Sequence, residues 1–235
     1  MKSLQSHKLK VVIPASGKGT RLGGKIPKQF QLLGDKPILY RTIAAFHRFD
    51  SVAEIAVAVP QGYIPMVQDY GFDKVCHIIE GGSDRQSSVF KALKCLSAGG
   101  VILIHDGARP FVSEETINNV AQKAIECGAA IAGVPVTDTI KKVNTNGSII
   151  ETPNRNHLWQ AQTPQGFTYD IIMRAHTQYS TLEATDDSML VELLGIPVYI
   201  VSGATSNIKI TTPEDFAIAK EYLRKMQAIT KEKDR

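Results

Sequence analysis

Six short, almost unbroken apolar runs recur along the chain: LKVVIP (9–14), AEIAVAVP (53–60), KVCHIIE (74–80), VILIHD (101–106), AAIAGVP (129–135) and PVYIVSG (197–203). A strand with one wet face alternates apolar and polar residues. Runs like these instead predict strands covered on both faces, and hence a largely parallel sheet between two layers of helices. The segments PILYRTIAAFHRF (37–49), SDRQSSVFKALKCL (83–96) and SEETINNVAQKAIECG (113–128) have helical spacing, the last with Ser113 at the N-cap position and Gly128 as a stop. The pattern predicts a doubly wound α/β chain, whose ligand sits at the carboxyl ends of the strands.

Two segments depart from this rhythm. TIKKVNTNGSIIET (139–152) reads as two short strands around Asn146-Gly147, a two-residue turn that requires positive φ at both positions. A hairpin inserted in such a chain projects, either as an edge flap on its own subunit or as an arm towards another. NIKI (207–210) reads as a strand in which Lys209 needs an anionic partner or an exposed edge, and Thr212, Pro213, Glu214 and Asp215 after it are helix-start residues. With no repeat, low-complexity tract or linker, the 235 residues are read as one domain (1–235) with an inserted arm at about 137–156.

Composition narrows the class of function. A net charge of +4, with 43% apolar and 21% charged residues, suits a folded protein and gives no bulk reason for a nucleic-acid partner. Cys76, Cys95 and Cys127 are widely spaced and odd in number, which fits neither a disulfide framework nor a zinc site, so a reducing cytoplasm is expected. No stretch approaches the ~20 apolar residues of a membrane span, and MKSLQSHKLK at the start carries charge without an apolar segment; no membrane association and no export are expected.

Three clusters carry chemistry. In PASGKGTRLGGKIPKQF (14–30), four glycines (17, 19, 23 and 24) allow close backbone approach while Lys18, Arg21, Lys25 and Lys28 bring positive charge, the makings either of a polyanion site or of a mobile, solvated basic surface loop. Gly23 comes one residue too late for the dinucleotide fingerprint G-x-G-x-x-G, and no Gly-Lys-Ser/Thr stands where a P-loop requires it. EGGSDRQSSV (80–89) is a turn leading into a helix; its small polar groups beside exposed backbone also suit the edge of a pyrimidine. HDGARPF (105–111) ends a strand with Asp106, an acid placed to hold a hydroxyl or face a Mg²⁺–phosphate group, and Arg109 is placed to clamp a phosphate or simply to pair with Asp106. VTDTIKK (136–142), PNRNHLWQAQTPQGF (153–167) and EATDDSML (183–190) hold more polar residues than loops need, although Thr185 also suits a helix cap and Trp159 a core position. Nucleophile elbows, C-x-x-C pairs and metal-ligand histidine spacings do not occur, which suits phosphoryl or nucleotidyl transfer, a chemistry of positioning and charge that asks little covalent work of the protein.

In order along nearly the whole chain, P-A-S-G-K-G-T-R-L with P-K-Q-F, G-G-S-D-R-Q-S-S-V, H-D-G-A-R-P-F, V-T-D-T-I-K, N-R-N-x-L-W-x-A-Q-T-P-Q-x-F and N-I-K-I-T-T-P-E-D resemble the 2-C-methyl-D-erythritol 4-phosphate cytidylyltransferase family. The resemblance implies a Rossmann-like, mostly parallel α/β fold with a projecting β-hairpin arm, and a homodimer with arm exchange. It implies transfer from CTP to methylerythritol 4-phosphate in non-mevalonate isoprenoid synthesis, with Mg²⁺ held mainly by the CTP phosphates and no dedicated metal ligands on the protein. Carried over by position, Ala15, Ser16 and Gly17 approach the cytidine, with Gly82, Ser83 and Ser88 at the base and Asp106 and Gly107 by the ribose and reacting phosphates. Arg21 and Lys28 match transition-state stabilisers, Lys209 matches a lysine holding both phosphates in line, and Arg109, Thr163 and Thr185 match contacts to the alcohol phosphate. Thr139 and Arg155 match residues that reach the neighbouring subunit's site, which favours the intersubunit arm.

Ser16 and Gly107 stand where many members have alanine, and Ser83 where some have an acid. Two rival readings are a CDP-ribitol-forming ribitol-5-phosphate cytidylyltransferase, which resembles the same blocks, and a nucleotide-binding module without catalysis. A nicotinamide-dependent oxidoreductase fails on glycine spacing.

Overall fold

A computed structural model describes residues 8–17 and 26–233. The elements in chain order are β1 (Leu9–Pro14), β2 (Leu32–Leu33), β3 (Lys36–Pro37), α1 (Ile38–His47), β4 (Val52–Val59), α2 (Ile64–Gln68), β5 (Val75–Glu80), α3 (Arg85–Leu93), β6 (Val101–Ile104), α4 (Glu114–Cys127) and β7 (Ala129–Pro135). They continue with β8 (Lys142–Val143), β9 (Ile149–Glu151), β10 (Trp159–Thr168), α5 (Tyr169–Gln178), α6 (Asp187–Leu193), β11 (Tyr199–Ser202) and α7 (Pro213–Lys233).

Among the described residues seven strands form one sheet in the order β11-β7-β10-β6-β1-β4-β5. The unbroken apolar runs have their cause here. In β1, Val11 and Ile13 point to a cluster with Leu39, Ile43 and Phe46 of α1 and Ile117 and Val120 of α4, while Val12 points to one with Val89 and Leu93 of α3, Ile172 of α5 and Leu190 of α6. Alternate side chains of one strand thus fill two cores, and both faces are apolar because both are covered. A third, smaller cluster seats α7 on the β2–β3 hairpin through Leu33, Ile38, Phe111, Ile210 and Ala219.

Strands β6, β1, β4 and β5 run parallel, so the loops after them gather at one edge of the sheet. β10 runs antiparallel between β6 and β7. Its sequence, WQAQTPQGFT, alternates too weakly to read as a strand, and a register shift between Ala161 and Gln165 interrupts its pairing. That break sets residues 162–164 beside the loop after β6.

Two sequence expectations need correcting. NIKI (207–210) is irregular chain, fixed by the hydrogen bond from Ile210 N–H to the Ala108 carbonyl rather than by a ladder. The hairpin turn is also different: among the described residues no non-glycine has positive φ, and only Gly147 of the Asn146-Gly147 pair does (φ 85°). Asn144 and Ser148 close a three-residue loop, with the Asn144 carboxamide accepting from the N–H groups of Asn146 and Ser148, so the glycine alone takes the left-handed position. The β8–β9 hairpin stands off the main sheet with Val143, Ile149 and Ile150 exposed, the last two at 61% and 60%.

The ends of α4 are as expected: Ser113 Oγ accepts from Thr116 N–H at 3.1 Å, and Gly128 caps the far end at φ 88°. Ser113→Ala is expected to cost about 1 kcal/mol and lower Tm by roughly 2–4 °C, read by thermal unfolding, with turnover unchanged.

Candidate active site

A cleft of ≈ 760 Å³ opens where the parallel strands end, lined by residues 14–17 after β1, Lys28 and Gln29, residues 82–85 entering α3, residues 106–108 after β6, and Lys209 and Thr211. Gln29 is buried and donates to the carbonyls of Ala15 (2.5 Å) and Gly17 (3.0 Å), which holds the first loop open as a rim. Gly107 has a steric reason: a Cβ there would lie 2.8 Å from the Ala15 Cβ and 3.3 Å from the Pro14 carbonyl, so the two loops can touch only because no side chain stands between them. Arg21 lies outside the described residues.

Ser88 belongs behind the cleft rather than in it. It is fully buried, accepts from Gly82 N–H at 2.9 Å and donates to the Asp84 carbonyl at 2.7 Å. With that proton spent, the 2.7 Å contact between Ser16 Oγ and Ser88 Oγ requires Ser16 to donate. Ser16 therefore ties the first loop to the turn before α3 and turns lone pairs, not a proton, towards the cleft. Ser83 donates to Asp84 Oδ2, and Asp84 caps α3 in a reciprocal box with Ser87.

The cleft ends at Asp106. One of its oxygens, Oδ1, accepts from Arg85 Nε at 3.0 Å, while Oδ2 faces Lys209 Nζ at 2.9 Å and Arg109 Nε at 3.5 Å. Burial pushes this carboxyl up, but Arg85, Lys209 and Arg109 together outweigh it and hold Asp106 far below the usual carboxylate range. It is ionised throughout the working range and is no proton shuttle. Arg85 spans to a second buried acid, with Nη1 2.7 Å from Asp187 Oδ2, and burial there too is outweighed by the Arg85 and His176 partners. Arg109 donates to the Asn207 carbonyl at 2.7 Å, and its buried Nε, short of a full hydrogen bond, faces Asp106 Oδ2 at 3.5 Å.

Beyond this cluster a smaller cavity of ≈ 260 Å³ is lined by Arg109, Gln162, Thr163, Thr185 and Asp186 among others, and shares Arg85, Asp106 and Lys209 with the cleft. Thr163 is committed to the acid loop. Burial pushes the His105 imidazole down to about 4, so the ring is neutral, and its Nε2 must carry the proton because it faces the Arg109 carbonyl at 3.0 Å. Nδ1 then accepts from the Thr163 hydroxyl at 3.1 Å, and that hydroxyl accepts from Asp106 N–H at 3.1 Å. Thr185 does not cap α6, a role that Asp186 takes; its hydroxyl donates to Met189 Sδ at 3.7 Å. Thr139 and Arg155 line neither cavity; they lie on the hairpin side of the chain, where Arg155 Nη1 donates to the Thr137 carbonyl.

Sequence reasoning passed over Arg85, Gln29 and Asp187. Arg85 carried a signal: a cation at the first residue of a helix opposes the helix dipole and needs acids nearby. Gln29 and Asp187 carried none, because their partners lie on distant segments.

The family model for 2-C-methyl-D-erythritol 4-phosphate cytidylyltransferase matches residues 9–225. Among similar proteins, the enzyme of that name from Alkaliphilus oremlandii is 45% identical over 225 residues, 92% of this chain and 95% of its own. That from Syntrophotalea carbinolica is 45% identical over 222 residues, 91% of this chain and 95% of its own. Of solved structures, 4-diphosphocytidyl-2C-methyl-D-erythritol synthase from Anaerococcus prevotii superposes with TM-score 0.82 at 28% identity, covering 94% of this chain and 98% of that one. The Thermus thermophilus cytidylyltransferase gives 0.75 at 34% identity, covering 92% and 99%. Because the match runs unbroken from β1 into α7, and so takes in every loop that lines the cleft and the cavity behind it, the chain belongs to the 2-C-methyl-D-erythritol 4-phosphate cytidylyltransferase family.

Proposed function

We propose that the chain performs the reaction for which its family is named. A phosphate oxygen of 2-C-methyl-D-erythritol 4-phosphate attacks the α-phosphorus of CTP, the α–β bridging bond breaks as the new P–O bond forms, and pyrophosphate leaves. The observation that carries this reading is the shared wall: a cleft of nucleotide size and a smaller cavity meet at Arg85, Asp106 and Lys209, where two phosphates brought from opposite sides would come into line.

In this reading the cytidine lies against Ala15, Ser16, Gly17, Gly82 and Ser83, and the lone pairs of Ser16 suit the exocyclic amino group of cytosine rather than a carbonyl at that position. Ser88 acts through Ser16. Asp106 and Gly107 border the ribose and reacting phosphates, Lys28 and Lys209 face the triphosphate, a role that Arg21 shares by its place in the family motif alone, and Arg109 and Thr185 take the alcohol phosphate. Thr163 orients Asp106. Among the described residues no three acid, histidine or cysteine side chains converge as a metal site, and Asp106 is the carboxylate at the junction. That set fits Mg²⁺ held mainly by the CTP phosphates, with at most one protein carboxylate. The ion, when bound, neutralises charge on the departing pyrophosphate.

The hairpin supports a second part of the proposal, a homodimer that exchanges arms. Its apolar side chains Ile149 and Ile150 are exposed, and Thr139 and Arg155 reach neither cavity of their own subunit, as expected if they complete a neighbour's site. Among the described residues no helix is long and apolar enough to cross a membrane.

A phosphate monoester with a second pKa of about 6 is already anionic at neutral pH and needs no general base. The acid limb of kcat/KM is therefore expected near pH 6 and to move upward with a less acidic phosphonate analogue of the alcohol phosphate; a limb that stays fixed would place it on the enzyme. Lys209→Ala is expected to lose roughly 2 to 4 kcal/mol of transition-state stabilisation, read as kcat in a pyrophosphate-release assay with CTP. The same assay tests the reaction itself, since turnover with ribitol 5-phosphate in place of methylerythritol phosphate would overturn the assignment. Mixing inactive Lys209→Ala and Arg155→Ala proteins under subunit exchange should restore about a quarter of the sites if arms cross, because half the dimers then hold one intact composite site. Proven heterodimers without recovery would rule the exchange out.

A further inference from the structure

Arg85 lines both cavities, yet its guanidinium is engaged on acids of the protein itself. We propose that Arg85, held from behind by Asp187 and His176, is a positioning residue that ties one oxygen of Asp106 to the scaffold and leaves the other to aim Lys209 and Arg109 at the reacting phosphates. The inference rests on the proposed reaction and adds a residue to it.

Three geometric facts converge on this role. First, Arg85 takes Oδ1 of Asp106 while Lys209 and Arg109 both face Oδ2, so the carboxylate is divided rather than shared. A carboxylate turns readily about χ2, and without Arg85 it would be free to offer both oxygens to Lys209. Second, Arg85 is itself fixed: Nη1 meets Asp187 Oδ2 at 2.7 Å, and the other oxygen of Asp187 accepts from the fully buried His176 Nε2 at 3.0 Å. Third, Arg85 is the first residue of α3 and Asp187 the first of α6, so one rigid fork joins the helix start beside Gly82 and Ser83 to the helix start beside Thr185. Gln165 braces the same junction, accepting from Asp187 and Ser188 N–H and donating to Asp186. A lysine has the charge but not the planar fork needed to hold two acids at once.

The decisive variant is Asp187→Asn, because Asp187 lines neither cavity. In steady-state turnover of the full chain with CTP and methylerythritol 4-phosphate, Asp187→Asn and Arg85→Lys are each expected to lower kcat by about 100-fold, the loss typical of a small misplacement near the chemistry. KM for the alcohol phosphate should rise while KM for CTP stays within about twofold, a split that general destabilisation does not produce. The double variant should be no worse than the weaker single one, since both cut the same chain of contacts. Wild-type kcat in a folded Asp187→Asn, or losses that add in full, would overturn the inference while leaving the reaction intact. Should Asp187→Asn fail to fold, Arg85→Lys decides by the same constants. A wild-type chain without turnover overturns the reaction and this inference together.

Discussion

A carboxylate taken out of water has to be compensated by partners, and at Asp106 those partners come from three separate parts of the chain: Arg85 at the start of α3, Arg109 in its own loop, and Lys209 in the irregular segment before α7. Removing one partner of a buried ion cluster costs several kcal/mol because a charge is then left uncompensated. The positions of the three segments are coupled for that reason. With Asp187 included, three cations face two carboxylates and leave one positive charge, at the place where the cleft and the smaller cavity meet.

The same accounting sorts the polar residues around the site into two kinds. Ser88 and Thr163 have every proton committed inside the protein, to the Asp84 carbonyl and to His105 respectively, and their work is to hold Ser16 and Asp106 in place. Ser16 differs: its proton goes to Ser88, and its lone pairs remain on the side of the cleft that it lines. A substrate is recognised by groups whose hydrogen bonds are unfinished, and the finished ones give those groups their direction.

Much of the fold was legible because parallel strands covered on both faces leave an unbroken apolar record, and β1, β7 and the ends of α4 fall where the runs and caps place them. β10 was not legible. It pairs antiparallel in mid-sheet with a sequence rich in glutamine and broken in register, so its strand character comes from its neighbours β6 and β7. Lys209 illustrates a right reason attached to a wrong element: it does have an anionic partner, Asp106, but the segment holding it is not a strand.

The sequence by itself determined the layer order, the ends of α4, the family and the set of loops that meet at the cleft, since local periodicity, capping chemistry and ordered motifs are all written in neighbouring residues. Only the tertiary structure decided which oxygen of Asp106 faces which cation, that Ser88 is covered by Ser16, and that Arg85 and Asp187 belong to one chain of contacts. Those relations join residues as far apart as 85 and 187, and hydrogen-bond direction depends on where each proton is already spent, which no spacing along the chain records.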